Sequence, residues 1–107
     1  MIFISKHIVP KGFTGITLYP FIFLKNKKLT DDKTLLNHER IHLKQQIELC
    51  IVFFYLFYGL EWFFKLIKYR NKHLAYRNLS FEREAYLNEK DKNYLANRKY
   101  WAFINYL

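Results

Sequence analysis

His38-Glu39-Arg40-Ile41-His42 spells HExxH inside a stretch of helical periodicity. At spacing i, i+4 two imidazoles leave one helix face on successive turns, their Cβ atoms about 5–6 Å apart, so both can reach one metal ion. A catalytic zinc takes three protein ligands at about 2.0–2.2 Å and keeps a fourth position for water. Glu39 stands beside that water as general base and acid, able to take a proton from it and pass it to a leaving amine. With four His and six Glu in 107 residues, chance gives such a string in about one sequence in a hundred. The bland alternatives are a polar helix face or satisfied core histidines.

The third ligand must come from outside this helix turn, because the extended pattern with Gly and His three and six residues after the second histidine meets Gln45 and Glu48 instead. Glu82 and Glu84 are the leading candidates, ahead of Glu48, Glu61 and His73. Two residues apart on a helix, Glu82 and Glu84 cannot both face one ion. If Ser80 caps the helix, Glu82 sits in its first turn as an acid that favours the helix dipole. Glu84 lies deeper, so Glu84 is expected as the ligand. Asn88, four residues on, is expected to hydrogen-bond a ligand histidine as an outer partner.

These residues need elements to hold them. Residues 1–30 are rich in β-branched and aromatic types around Gly12 and Gly15, which predicts two or three short antiparallel strands. Pro20 points to an edge strand or a bulge, and Lys25–Lys28 to a turn. Residues 31–107 read as helical, with Thr30 capping a first helix that begins with Asp31 and Asp32. Gly59 is the expected break, and Leu60, Phe63, Phe64 and Ile67 resume helical spacing. A further helix is expected near Ser80, capped by Ser80 or Asn78, with Tyr86, Leu87, Tyr94 and Leu95 on its apolar face. From His42 to Gly59 and from Leu60 to Arg77 are 17 residues each, about 25 Å per leg if helical. A reversal at Gly59 would bring the Ser80 helix back to the histidines. The expected fold is α+β in a single domain, 1–107.

Length and composition narrow the function. One hundred and seven residues, 51% of them apolar and 21% aromatic, build one core but no separate cofactor domain. Cys50 is the lone cysteine, so an intramolecular disulfide is impossible. Lys6 interrupts the apolar start, and no small-residue cleavage pattern follows, so no cleaved signal is expected. The charge-free stretch from Leu49 to Leu60 falls short of the roughly 20 residues of a spanning helix. A buried core helix is the first reading of it and an interfacial membrane contact the second. The expected location is cytoplasmic, with membrane association as a variation.

The formal charge of +9 suits nucleic acid, an anionic membrane or an acidic substrate. Nucleic acid is disfavoured, because the cations spread from Lys6 to Lys99 and no recognised binding string occurs. A bundle-type di-iron site needs two E-x-x-H copies, and this chain has one.

His38, Glu39 and His42, with Glu84-Ala85 opening a helix some forty residues later, resemble the gluzincin group of zinc metallopeptidases, nearest in size to the minigluzincins. The chain also resembles small uncharacterised bacterial HExxH proteins in which Gln follows the second histidine, as Gln45 and Gln46 do. The motif-bearing part runs from about Leu36 to Asn88, roughly half the chain. The resemblance implies a zincin-like domain with an active-site helix and a glutamate helix. It implies one zinc ion on His38, His42 and Glu84, Glu39 as base, and an edge strand within Ile16–Leu24 that pairs with an extended peptide.

The chain departs from that pattern in two respects. Asn88 stands where the family often has an acid, and eight of the twelve residues from Phe53 to Phe64 are aromatic. Apolar residues on every side of a helix mean burial in protein or at a lipid boundary. Self-association over the cleft, and hence a latent enzyme, is compatible with the resemblance. No oxyanion donor is assigned by the sequence; His73, Tyr76 and Tyr86 are the candidates, each with a structural role as the alternative reading.

Two functions follow as expectations. The first is a zinc-dependent peptidase acting on peptide or protein substrates. The other is a non-catalytic, metal-stabilised membrane-surface or protein-interaction module, drawn from the aromatic segment 49–64 and the basic flank of Lys65, Lys68, Arg70, Lys72 and Arg77.

Overall fold

A computed structural model describes residues 2–107. Three short strands, β1 (Ile2–Ile4), β2 (Gly15–Leu18) and β3 (Phe21–Leu24), form one sheet in the order β1-β3-β2. β2 and β3 are antiparallel, as expected, but β1 joins β3 in parallel, with Ile2 opposite Ile22. The sheet is therefore mixed. Pro20 lies in the tight turn between β2 and β3 rather than in a strand, where its missing N–H breaks no ladder. β3 alternates half-buried Phe21 and Phe23 with buried Ile22 and Leu24, and that second face packs on Leu36 of the first helix.

A 3₁₀ turn, Lys27–Asp31, leads into α1 (Lys33–Glu48). Its cap is Asp32 and not Thr30: the Asp32 carboxylate accepts from the Leu35 N–H at 3.0 Å, the usual remedy for an unpaired donor at a helix start. Five of the seven buried residues of α1 are polar: His38, Glu39, His42, Gln45 and Gln46. A polar stripe of this kind survives burial only when neighbouring elements supply its hydrogen bonds.

The expected break at Gly59 is absent. α2 runs unbroken from Val52 to Tyr69, and Gly59 has open space around it. The chain turns earlier, at Cys50 and Ile51, whose φ values of 54° and 63° are left-handed. Helices α1 and α2 meet there at 110°. Such a sparsely populated backbone costs a non-glycine residue about 1–3 kcal/mol, and a 2.7 Å bond from the Ile51 N–H to the Gln46 carbonyl helps to hold it. Arg70, also left-handed, ends α2, and Asn71 caps α3 (Lys72–Arg77) through the Leu74 N–H.

α4 (Ser80–Asn88) begins where the sequence predicts, but Leu79 is its cap residue. A carboxylate from another helix does the capping. Glu61 of α2 accepts from the Ser80 N–H at 2.7 Å and the Ser80 hydroxyl at 2.6 Å. Tyr94 and Leu95 belong to a separate short turn, α5 (Tyr94–Asn97), followed by a 3₁₀ turn at Ala102–Tyr106. Phe81 of α4 packs on Phe54 of α2 and on Phe103, closing the second apolar cluster.

The expectation of a buried α2 is half right. Phe54 and Glu61 are buried, while a broad aromatic and aliphatic face stands free. Among the described residues, no single helix is long and apolar enough to cross a membrane.

Candidate metal centre

α1 and α4 lie antiparallel and are pinned at both ends. At one end, the Gln45 side-chain amide donates to the Phe81 carbonyl (3.1 Å) and to Glu84 Oε1 (2.9 Å). At the other, the Asn37 amide donates to the carbonyls of Glu89 (2.8 Å) and Asp91 (3.0 Å). His38 and His42 lie between these two clamps, so the register of the helix pair decides which acid they meet.

That acid is Glu82. His42 Nε2 lies 3.2 Å from His38 Nε2 and 3.2 Å from Glu82 Oε1, and His38 Nε2 lies 3.4 Å from the same oxygen. These three buried residues can hold a metal ion. In a regular tetrahedron the edge is about 1.63 times the centre-to-vertex distance, so bonds of about 2.0–2.1 Å require edges of about 3.3–3.4 Å. The three edges here are already close to that size. The donor set, two imidazole nitrogens and a carboxylate, suits a divalent transition metal.

Glu84, the expected ligand, faces away. Its carboxylate accepts from Arg98 (Nη2, 3.1 Å, and Nε), from the Tyr94 hydroxyl (2.6 Å) and from Gln45. Arg98 also grips Glu48 through Nη1 at 2.6 Å and Nη2 at 3.0 Å. The reason is helical phase. Glu82 and Glu84 point about 200° apart around α4, and the face shared by Glu84 and Asn88 turns toward α5 and the C-terminal segment. Asn88 accordingly donates to the Glu84 carbonyl (2.8 Å) and the Tyr106 hydroxyl (3.0 Å), and neither histidine is its partner. The remaining ligand candidates are spent elsewhere: Glu48 on Arg98, Glu61 on Ser80, while His73 is exposed at the cleft.

A pattern in the sequence does mark the correct face. Glu82, Tyr86 and Glu89 follow one another at i, i+4 and i+7, and all three meet His38. The Tyr86 ring packs edge-on against it at 4.4 Å, and Glu89 Oε2 lies 3.5 Å from its Nδ1. His38 Nδ1 is buried without a hydrogen bond, so Glu89 is near it but not in bonding geometry. The acid sought one turn after the ligand is found two turns after it. For His42 the orienting partner is Gln45, whose Oε1 lies 2.8 Å from Nδ1. A proton on Nδ1 there leaves Nε2 with its lone pair toward the ligand cluster.

Electrostatics favour a cation in this place. Without a metal ion, burial opposes charge on His42, but the Glu82 carboxylate outweighs it and raises the imidazole to about 9. Burial likewise opposes charge on Glu82, and His42 with His38 overrides it, holding the carboxyl well below its usual range. Tyr58 donates a further 3.0 Å bond to Glu82 Oε2. Burial, with Glu82 adding to it, pushes the Tyr58 phenol well up, so it remains a neutral donor.

Glu39 is held from the sheet. The Thr17 hydroxyl donates to Glu39 Oε1 at 2.7 Å and lies 3.0 Å from the Glu39 carbonyl oxygen. Neither Thr17 nor the next contact was legible as functional. The Gln46 side chain lies along the outer edge of β2, donating to the Thr17 carbonyl at 2.8 Å and accepting from the Tyr19 N–H at 2.8 Å. It stands there as a neighbouring strand would.

His38, Glu39, His42 and Glu82 all line one cleft of about 630 Å³ between β2 and α2. Its walls are largely apolar, with Ile16 and Leu18 from β2 and Tyr55 and Trp62 from α2. Of the three candidate oxyanion donors, His73 and Tyr76 line this cleft, while Tyr86 sits behind His38 with its hydroxyl 3.2 Å from that of Tyr76. Arg77 stacks over the Tyr86 ring, 3.6 Å from its centroid, and Arg83 donates to the Tyr106 carbonyl at 2.8 Å. Both are structural contacts outside the cleft.

Comparison with family models, curated proteins and solved structures returns no match for this chain. The gluzincin resemblance is left to His38, Glu39 and His42, since Glu84 faces away from them.

Proposed function

We propose that this chain is a zinc-dependent peptidase, with His38, His42 and Glu82 as the metal ligands and Glu39 as general base and acid. The observation that carries the reading is the triangle of ligand atoms, 3.2, 3.2 and 3.4 Å on its edges, within the cleft that Glu39 also lines. Zinc bound there would lower the pKa of a coordinated water toward about 7 and polarise a carbonyl.

The chain's own groups supply the rest. Thr17 occupies Glu39 Oε1, which leaves Oε2 to take a proton from the attacking water and return it to the leaving amine nitrogen as the C–N bond breaks. His73 and Tyr76 are the side chains available to donate to the carbonyl oxygen as it gains charge. On β2 the Thr14 carbonyl accepts from the Lys25 N–H on the β3 side, so Gly15 and Thr17 direct their backbone groups outward. Gln46 fills the Thr17–Tyr19 end of that edge. The Gly15 end is left for an extended peptide, which would add as a further strand while its side chains enter the apolar cleft.

The test is zinc-loaded protein against a diverse peptide library, with Glu39→Gln as the control. Cleavage by the wild type, lost in Glu39→Gln at unchanged zinc content, is the expected result. Zinc binding with no cleavage of any peptide by the wild type would leave a metal-stabilised module and end the enzymatic reading.

A further inference from the structure

α2 presents three different edges to its surroundings. One packs inward through Phe54 and Glu61, and a second lines the cleft through Tyr55, Tyr58 and Trp62. The third carries Phe53, Leu56, Leu60, Phe63, Phe64 and Ile67, each 53 to 65% exposed. At 100° per residue these six fall within an arc of about 100°, with no charged residue among them, and extend about 21 Å along the helix. Burial of this much apolar surface is favourable, and nothing in the described residues covers it.

Charge identifies what could. From Trp62 to Phe81 the chain has five cations, Lys65, Lys68, Arg70, Lys72 and Arg77, and no carboxylate. The nearest acids on either side are occupied: Glu61 by Ser80, Glu48 by Arg98, Glu82 by the histidines. A second copy docked on this face would bring the same cations and no free acid near α2 to meet them. An anionic lipid surface offers both apolar depth and negative charge, and an aromatic face beside a lysine- and arginine-rich flank lies flat in such an interface.

We propose that α2 is an interfacial anchor, lying in the plane of an anionic bilayer leaflet with its Phe53–Ile67 face among the acyl chains and its C-terminal cations at the head groups. No single helix among the described residues is long and apolar enough to cross, and α2 is docked on the protein through Phe54 and Glu61. Its cleft-lining edge adjoins the anchoring face, so docking would bring the cleft close to the bilayer. This inference does not depend on the peptidase reading.

Sedimentation with phosphatidylcholine vesicles, with and without one-quarter phosphatidylglycerol, tests it on the 107-residue chain. The wild type should bind the anionic vesicles, and rising salt should weaken the binding. Leu60→Glu/Phe64→Glu should reduce it at least tenfold, and Lys68→Gln/Arg70→Gln about fivefold per cation removed. Near-ultraviolet circular dichroism checks that each variant is folded, and the wild-type arm decides the matter even if one is not. Failure of the wild type to bind anionic vesicles overturns the proposal, as does equal binding to neutral ones. So does a concentration-dependent dimer, dissociated by Leu60→Glu/Phe64→Glu, in protein that ignores vesicles.

Discussion

Thr17 of β2 donates its hydroxyl hydrogen to Glu39 of α1 over 2.7 Å, joining the sheet to the acid of the HExxH string. Both residues are buried, so the bond is shielded from water and its loss is not made good by solvent. Through it the small sheet acquires a definite role, because β2 sets the position of Glu39, a buried carboxylate that lines the cleft beside His38, His42 and Glu82.

Thr17→Val keeps the shape and removes the donor. A buried hydrogen bond to a charged group contributes about 1.5–3 kcal/mol, and denaturant unfolding should show a loss of that size. Zinc content should stay the same while peptide cleavage falls about tenfold or more. Unchanged cleavage would mean that Thr17 does not position the base.

Glu82 and Glu84 should separate cleanly by phenotype. Glu82→Ala removes a ligand atom, so zinc affinity should fall by more than the roughly 10–100-fold typical of losing an outer partner. Glu84→Gln should leave zinc stoichiometry untouched. It should instead cost about 3 kcal/mol of stability, because Arg98, its side chain only 3% exposed, loses one of two carboxylates. Competition titration and chemical denaturation read the two effects independently.

Acid should reveal the same ion cluster. Burial raises the Glu84 carboxyl, but hydrogen bonds from Arg98, Tyr94 and Gln45 overcome it and hold the group below its ordinary value of 4.5. A folded-state pKa below the unfolded one means that the unfolded chain binds the proton more readily. The stabilisation is therefore complete above about pH 4.5 and is lost as pH falls through the lower, folded value. The wild type minus Glu84→Gln stability difference, measured from pH 7 downward, should be flat to about pH 5 and then shrink. A difference that stays constant into strong acid would contradict the ion pairing.

Removing the metal should loosen the α1–α4 pair. An ion bound only by the folded chain stabilises it by about 4 kcal/mol at a thousandfold excess over Kd. Chelation should lower the Tm of the wild type and of Glu39→Gln alike, since Glu39 is not a ligand, and should scarcely move Glu82→Ala. An equal shift in all three would point to a metal bound somewhere else.

The histidine pair was legible because it is a local matter: spacing i, i+4 on a continuous helix projects two side chains from one face whatever surrounds it. The strand-then-helix order and the start of α4 at Ser80 were legible for the same reason, through β-branched clustering and helical periodicity. The bend at Cys50 and Ile51 carried no glycine or proline signal, and Gly59, which did, lies in an unbroken helix. Turn propensity is weak beside the packing of Phe54 and Phe81, which decides where α2 must lie.

The third ligand belonged wholly to tertiary structure. Within α4, Glu82 and Glu84 are both plausible, and the local argument assigned Glu82 to the helix dipole. Only the antiparallel register of α4 on α1, set by Asn37 and Gln45 from outside α4, turns Glu82 to the histidines and Glu84 to Arg98. Composition likewise foretold an apolar α2 but not which side would stay uncovered. Residue type determines what a side chain can bind or bury, and the docking of one helix on another determines what it meets.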